Sequence, residues 1–330
     1  MLEEIFSSRI GTKLILKIGR EAYREFYLYQ LSKELKIGLG RTKTLLENLK
    51  NKDILISTKK GRTIFYKLNE NNRLVYDIIY LAHKDALLKT DGKYLSAITR
   101  LSDLYKEELK DNLISVILFG SVAKGKAKKW SDIDILIILK TKPDEEKRKN
   151  MMEISSSILD TYANISEEHF FTEKEFEEAY RIGDDFLINV IKEGIILHDK
   201  GYFARYAIRG IPSITRKSIE KRLDFAKQWL DSALELYSKY PESVTSSIGT
   251  ISIHLARAWL LLNNILPGSK HEIPQQLLSI KEAKFSRIYK TSREWFDSPP
   301  LKAEKQKIWQ MLMFLKEKYN ECRKKLEGWA

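Results

Sequence analysis

The sequence predicts a multidomain α+β chain in three parts: a short helix-and-hairpin segment, a small mixed-sheet α/β core, and a run of helices. Three observations predict it. At 330 residues the chain exceeds one ordinary compact domain, so two or three are expected. The hydrophobic period switches from helical to strand-like and back twice along the chain. The charge follows the same partition. Residues 1–70 hold 15 Lys/Arg against 8 Asp/Glu, residues 95–200 hold 16 against 21, and residues 201–330 hold 23 against 13. Two basic ends therefore flank an acidic middle. Basic ends suit a polyanionic partner such as nucleic acid, or plain solubility, whereas an acidic middle suits a module that holds a cation.

In the first part, Ile10, Leu14, Ile15 and Ile18 mark one face of a short helix over residues 9–19. A second helical stretch runs from about Tyr29 to Leu35. After the Gly38–Gly40 turn comes a third, with Leu45, Leu46 and Leu49 inward, ending at Asp53. Two β-prone runs, Ile54–Thr58 and Thr63–Leu68, are joined by Lys59-Lys60-Gly61-Arg62. This is the element order of a winged helix-turn-helix over residues 1–72. Residues 73–94 read as a helical linker with a break at Asp91-Gly92.

The middle part, residues 95–210, alternates strands and helices. Leu113–Phe119 and Ile133–Leu139 read as strands and Glu145–Tyr162 as a helix. Ile165–Thr172 reads as a strand and Glu173–Tyr180 as the start of another helix. Helical pattern continues to about Ile196, and Gly210-Ile211-Pro212 marks the next boundary. From 211 to 330 everything reads as helix. Ile219, Leu223, Ala226, Leu230, Ala233 and Tyr237 step by three and four, and Val244 to Leu262 repeat the pattern. With two further helices, about Pro274–Lys290 and Leu301–Leu326, they make an antiparallel bundle.

Several classes are excluded or disfavoured. No stretch approaches the ~20 apolar residues of a membrane span. The start MLEEIFSSRIGTK lacks the apolar core of a secretory signal. Cys322 is the single cysteine, which rules out an intramolecular disulfide and a cysteine-rich zinc site. A cytoplasmic location is the expectation.

The chemistry concentrates between Leu118 and Leu139. A strand ends at Gly120 and the chain turns through Ser121 to Gly125, where two glycines let backbone amides approach a bulky anion. Ser121 adds a hydroxyl, and Lys124, Lys126, Lys128 and Lys129 could offset the charge of a triphosphate. Asp132 and Asp134 stand two apart at the entry of the next strand, so both side chains leave on one face. Paired carboxylates repel unless a cation sits between them, and hard oxygen ligands of this kind suit Mg²⁺ or Mn²⁺. Two plain readings compete. The acids could be ordinary turn residues, and Gly120–Gly125-Lys126 has the spacing of a Walker A loop. The second is rejected because Ala127 stands where a Mg²⁺-binding Ser or Thr is required and a strand, not a helix, follows.

The pattern Gly120-Ser121, Gly125, Ser131-Asp132-Ile133-Asp134 resembles the signature of the DNA polymerase β-like nucleotidyltransferase superfamily, in its minimal (MNT-type) variety, over roughly residues 95–200. The resemblance implies Mg²⁺-dependent transfer of a nucleoside monophosphate from an NTP, ATP foremost, to an acceptor. Gly120, Ser121, Lys124, Gly125 and Ser131 would bind the nucleotide, and Asp132 and Asp134 would hold the metal and act in catalysis. Active members carry a third carboxylate on a neighbouring strand. Here that strand is Ile165-Ser166-Glu167-Glu168-His169-Phe170-Phe171, so Glu167 or Glu168 must serve. Glu168 lies nearer the usual place relative to Thr172, and surface acids on an edge strand are the plain alternative.

The N-terminal part resembles the winged helix-turn-helix of small transcription regulators. That implies duplex DNA as a partner, read by Arg41, Thr42, Lys43 and Thr44 at the start of the third helix and by Lys59, Lys60 and Arg62 at the wing. Such regulators often dimerise on symmetric sites, so a homodimer is compatible. The C-terminal part resembles the HEPN helical bundle, through His254-Leu255-Ala256-Arg257-Ala258-Trp259 and the turn from Pro267 to His271. No Arg is followed four to six residues later by His, the pairing of the ribonuclease members. The primary expectation is therefore a nucleotidyltransferase coupled to a DNA-binding winged helix. The alternatives are a nucleotide-responsive DNA-binding regulator with a weak or inactive transferase fold, and a fused toxin–antitoxin-like unit.

Overall fold

The computed structural model describes residues 8–127, 131–160, 166–297 and 305–329. It is a mixed α+β protein that divides into two compact units. The first takes residues 1–178 together with Phe186–Ile211, and the second takes Ala179–Asp185 with Pro212 onward.

In the first unit, helix α1 (Arg9–Arg20) starts where the Ser8 hydroxyl accepts from the Gly11 amide at 3.3 Å, satisfying one orphan donor of the first turn. Strand β1 (Phe26–Tyr27), helix α2 (Leu28–Leu35), helix α3 (Leu39–Asn51) and strands β2 (Leu55–Lys60) and β3 (Thr63–Leu68) follow. The three strands form an antiparallel sheet in the order β1-β3-β2. The hairpin reaches two residues further than the periodicity predicts, to the Lys60–Thr63 pair. Strand β1 is too short to show a period, so only its pairing with Phe65 and Tyr66 reveals it.

Helix α4 (Leu74–Leu87) packs on α1 through Gly19, where a Cβ would lie 2.8 Å from the Ile78 carbonyl oxygen. Helix α5 (Gly92–Leu109) begins at an Asp91 cap and leads into strand β4 (Leu113–Phe119). After a one-turn helix α6 (Gly120–Ala123) come strand β5 (Ile133–Leu139), helix α7 (Glu145–Asp160) and strand β6 (Ser166–Thr172). Helix α8 (Glu173–Ile182), helix α9 (Asp185–Glu193), strand β7 (Ile195–Asp199) and helix α10 (Tyr202–Arg209) complete the order up to residue 209.

The second sheet runs β6-β5-β4-β7. Only β5 and β6 are parallel, as the α7 crossover between them requires. Strands β4 and β5 are central and almost wholly buried, which explains their apolar runs Leu113–Leu118, broken only by Ser115, and Ile135–Leu139. Strand β7 departs from the sequence expectation of continued helix to about Ile196. The apolar groups Val190-Ile191 and Ile195-Ile196-Leu197 are spaced like successive turns of a helix, so periodicity alone does not separate helix from strand there. Pairing with β4 decides it, and Asp199 closes the turn by accepting from the Ser115 hydroxyl at 2.5 Å and the Phe203 amide at 3.0 Å.

The second unit is helical from α11 (Arg216–Tyr237) onward. It continues through α12 (Thr245–Leu262), α13 (Ile273–Ser279), α14 (Ala283–Asp297) and α15 (Lys305–Glu327). Ile219, Leu223, Ala226, Leu230 and Ala233 are buried together with Ile248, Ile251 and Leu255. The single helix expected over Pro274–Lys290 is two helices, because Lys281 takes a left-handed conformation with φ 64°. No Gly or Pro announces that break. The first four residues of the helix expected from Leu301 lie outside the described residues. Within this unit the buried Asp185 carboxylate accepts from Arg222 at 2.8 Å and from Arg257 at 2.5 Å. Burial opposes its charge, but the two guanidinium groups outweigh it and hold the carboxyl below its ordinary value. Among the described residues no helix is long and apolar enough to cross a membrane.

Candidate nucleotide and metal site

The site is built where β4 and β5 meet the turn between them. Phe119, the last residue of β4, pairs with Asp134 on β5, and Gly120 then turns with φ 74°. A Cβ at position 120 would lie 1.8 Å from Asp134 Oδ2, so the Asp134 carboxylate occupies the space that any other side chain would need. Glycine is demanded twice over, by the left-handed backbone and by the carboxylate. The turn closes on itself: the Lys126 amide donates to Ser121 O at 2.9 Å and the Gly125 amide to Val122 O at 3.1 Å. Ser121 and Lys124 are half-buried and Lys126 is exposed. Lys128 and Lys129 lie outside the described residues.

Ser131, Asp132 and Asp134 are half-buried at the entry of β5. Asp134 lies within β5 and Asp132 immediately precedes the strand; continuing the strand alternation back to Asp132 would put both on one sheet face. Lys124 Nζ reaches Glu193 Oε2 at 2.7 Å and is 15% exposed, so this loop cation is matched by the last residue of α9.

The third carboxylate expected at Glu168 is not brought to this face. The parallel register pairs Asp134 with Glu167 and Ile135 with Glu168, and paired residues on neighbouring strands share a face. Glu168 therefore sits with Ile135, on the side covered by α5, where it accepts from the buried Tyr105 hydroxyl at 2.8 Å. Burial, and then the Glu168 charge, push the Tyr105 hydroxyl well above its usual pKa. Sequence distance from Thr172 misplaces the acid by one residue, and one residue in a strand is the other side of the sheet.

Glu167 is the acid in register with Asp134. It is 62% exposed on edge strand β6, with Oε1 3.5 Å from His169 Nε2. His169 joins an aromatic cluster on the same face, its ring 5.5 Å from Phe119 and 4.9 Å from Phe186. Burial lowers its pKa against the raising influence of Glu167 and Glu168. The signal for Glu167 is present in the sequence as the parity of two strands, but it needs the pairing register. Glu193, His169 and Phe186 have no comparable signal.

Among the described residues no three His, Cys, Asp or Glu side chains are grouped to hold a metal ion. Two carboxylates on one strand face, with one folded over a glycine turn, still fit Mg²⁺, which takes its remaining ligands from water and substrate phosphates.

The expected DNA-contacting residues separate. Arg41 and Lys43 are exposed on α3, as are Lys59 and Arg62 at the β2–β3 turn. Thr42 has no exposed surface and its hydroxyl donates to Gly38 O at 3.1 Å, so it packs inward and does not face a groove. Thr44 is exposed, with its hydroxyl donating to Gly40 O at 3.1 Å. Lys60 pairs with Glu25.

Comparison with known proteins covers the segment that holds this turn. Residues 98–198 match the nucleotidyltransferase domain family. The chain is 27% identical over 127 residues to a putative protein adenylyltransferase of Methanocaldococcus jannaschii, covering 38% of this chain and 84% of that protein. A second putative protein adenylyltransferase of the same organism is 37% identical over 75 residues, 22% of this chain and 87% of the relative. Among solved structures, a spectinomycin adenyltransferase from Enterococcus faecialis with ATP and spectinomycin aligns at 14% identity and a TM-score of 0.44. That alignment covers 68% of this chain and 98% of the other. Through the segment that carries the Gly-Ser turn and the two aspartates, the chain belongs to the nucleotidyltransferase domain family.

Proposed function

We propose that the protein transfers a nucleoside monophosphate, AMP from ATP foremost, to an acceptor hydroxyl and releases pyrophosphate. The observation that carries this reading is the Asp134 carboxylate lying over Gly120, with Asp132 two residues before it at the entry of β5. The names of the curated relatives, putative protein adenylyltransferases, support ATP as donor and a protein hydroxyl as acceptor. Asp132 and Asp134 would hold Mg²⁺ or Mn²⁺, which when bound neutralises charge developing on the phosphates. Gly120, Ser121, Gly125 and Ser131 would receive the triphosphate, with Lys124 and Lys126 beside it. Glu167 replaces Glu168 as the proposed third carboxylate. It would accept the acceptor's proton as its oxygen bonds to the α-phosphorus and the bond to the pyrophosphate oxygen breaks. The test is label transfer from ATP carrying ³²P at the α-phosphate, in lysate and with purified protein. Asp132→Asn/Asp134→Asn should abolish labelling and pyrophosphate release together. Labelling that survives in the double variant would sink the assignment.

A second reading rests on a separate observation: Arg41, Lys43, Lys59 and Arg62 are exposed and make no ion pair among the described residues. Residues 1–72 would act as a winged helix that binds duplex DNA, as a homodimer on symmetric sites, and the transferase fold would respond to nucleotide. Replacing the four cations by Gln should weaken duplex binding and flatten its dependence on salt. Duplex affinity that is the same for both proteins at every salt concentration would remove this reading.

A further inference from the structure

A cleft of about 510 Å³ opens in the first unit between α1, the end of α2 and α4. No residue from Gly120 to Asp134 lines it, so it is separate from the transferase site. Its volume falls within the range of small-molecule pockets. Leu16, Leu35, Ala82 and Ala86 supply an apolar lining. Five cations, Lys13, Lys17, Arg20, Lys36 and Lys89, share it with only two acids, Glu34 and Asp85.

The pairing within the cleft decides what it lacks. Glu34 accepts from Arg24 at 2.9 Å and meets Lys17 at 3.1 Å. Burial opposes its charge, yet those two cations hold its carboxyl at about 2. Asp85, buried on α4, pairs with Lys89. Both acids are thus already matched. Arg20 spends its guanidinium on two neutral carbonyls, Gly194 O at 2.6 Å and Glu193 O at 2.7 Å. Lys13, half-buried, and Lys36, exposed, make no ion pair among the described residues. Three positive charges therefore face one partly apolar cleft without a carboxylate in salt-bridge contact among the described residues. A cleft lined by charges of one sign, with partly apolar walls, attracts an incoming anion.

We propose that this cleft binds a small phosphorylated molecule with an apolar or planar body, of the nucleoside diphosphate class. Lys13 and Lys36 hold its phosphates, and Leu16, Leu35, Ala82 and Ala86 take its body. A bare anion would leave the apolar wall uncovered, and an uncharged ligand would leave the lysines unmatched. The same Arg20 that borders the cleft grips the carbonyls of Glu193, the last residue of α9, and of Gly194 after it, and the Glu193 side chain pairs with Lys124 of the Gly-Ser turn. A continuous chain of contacts therefore joins the cleft to the transferase site, although the proposal does not depend on transfer activity.

The experiment uses the full chain carrying Asp132→Asn/Asp134→Asn, in EDTA, so that the transferase site and its metal contribute little. ADP binding is measured by calorimetry. One ADP per chain is expected, with affinity falling at least tenfold in Lys13→Gln/Lys36→Gln and retained in Lys13→Arg/Lys36→Arg. Lys239→Gln/Lys316→Gln, exposed cations elsewhere, should leave it unchanged. Inorganic pyrophosphate should compete at least tenfold less well than ADP. Absence of ADP binding, or affinity unaltered by Lys13→Gln/Lys36→Gln, overturns the site. Equal competition by pyrophosphate overturns the assignment of an apolar body. Loss of duplex DNA binding with no ADP bound would reassign the lysines to a nucleic-acid backbone. Each of these outcomes stands apart from labelling by the intact transferase site, which is measured without these substitutions.

Discussion

The two faces of the four-stranded sheet use the same kind of residue for opposite ends. On one face Asp132, Asp134 and Glu167 stand half-buried or exposed beside a glycine turn. On the other, half-buried Glu168 pairs in register with Ile135 and accepts from the Tyr105 hydroxyl of α5 at 2.8 Å. An acid on the covered face is partly shielded from water, so a hydrogen bond from the protein itself helps to satisfy it. An acid at the open end can be left for a ligand. Adjacent residues, Glu167 and Glu168, thus fall on opposite faces of the sheet by strand parity alone.

Four substitutions test that division beyond the double aspartate variant. Gly120→Ala should have the largest effect, since its methyl would lie 1.8 Å from Asp134 Oδ2 on a backbone at φ 74°. Displacing that carboxylate by about an ångström is expected to lower kcat for transfer on the order of 100-fold. The left-handed alanine costs about 1–2 kcal/mol in chemical denaturation. Wild-type rates in this variant would mean that the turn does not position Asp134. Glu167→Gln comes next. Removing a general base is expected to lower kcat about 100-fold, with the melting temperature unchanged because the side chain is 62% exposed. If the rate holds, the open face lacks a third acid and its division from the covered face loses half its meaning.

The smallest effect is on the covered face. Glu168→Gln and Tyr105→Phe should each cost about 1 kcal/mol of stability through the lost or weakened hydrogen bond, read by urea denaturation. Transfer rates should stay within about twofold of wild type. A large rate loss in Glu168→Gln with stability intact would return Glu168 to the chemistry and overturn the register argument.

Much of the site is legible in the amino-acid sequence. Gly120, Gly125, Asp132 and Asp134 are a local pattern: close spacing along the chain places them on one turn and one strand face whatever surrounds them. The same holds for β4 and β5, whose buried runs are bounded by polar residues and glycine, and for α11 and α12, whose apolar stripes are long enough to be unambiguous. Thr42 is not legible in this way, because a polar residue at the head of a basic helix looks exposed. In the folded chain it satisfies its hydroxyl on Gly38 O and turns inward. The break at Lys281 has no sequence signal because its cause is a backbone conformation and not a residue type.

What the sequence by itself determined is the identity of the turn and of the two aspartates, together with the order of the long helices and central strands. These depend on interactions among residues within about seven positions of one another. What only the tertiary structure decided is non-local: that Ile195–Asp199 is a strand beside β4, that Glu167 and not Glu168 shares a face with Asp134, and that Glu193 meets Lys124. A strand's partner and register are set by packing between segments far apart in the chain, and a shift of one residue exchanges the two faces. That exchange separates the acid at the open end from the acid held by Tyr105.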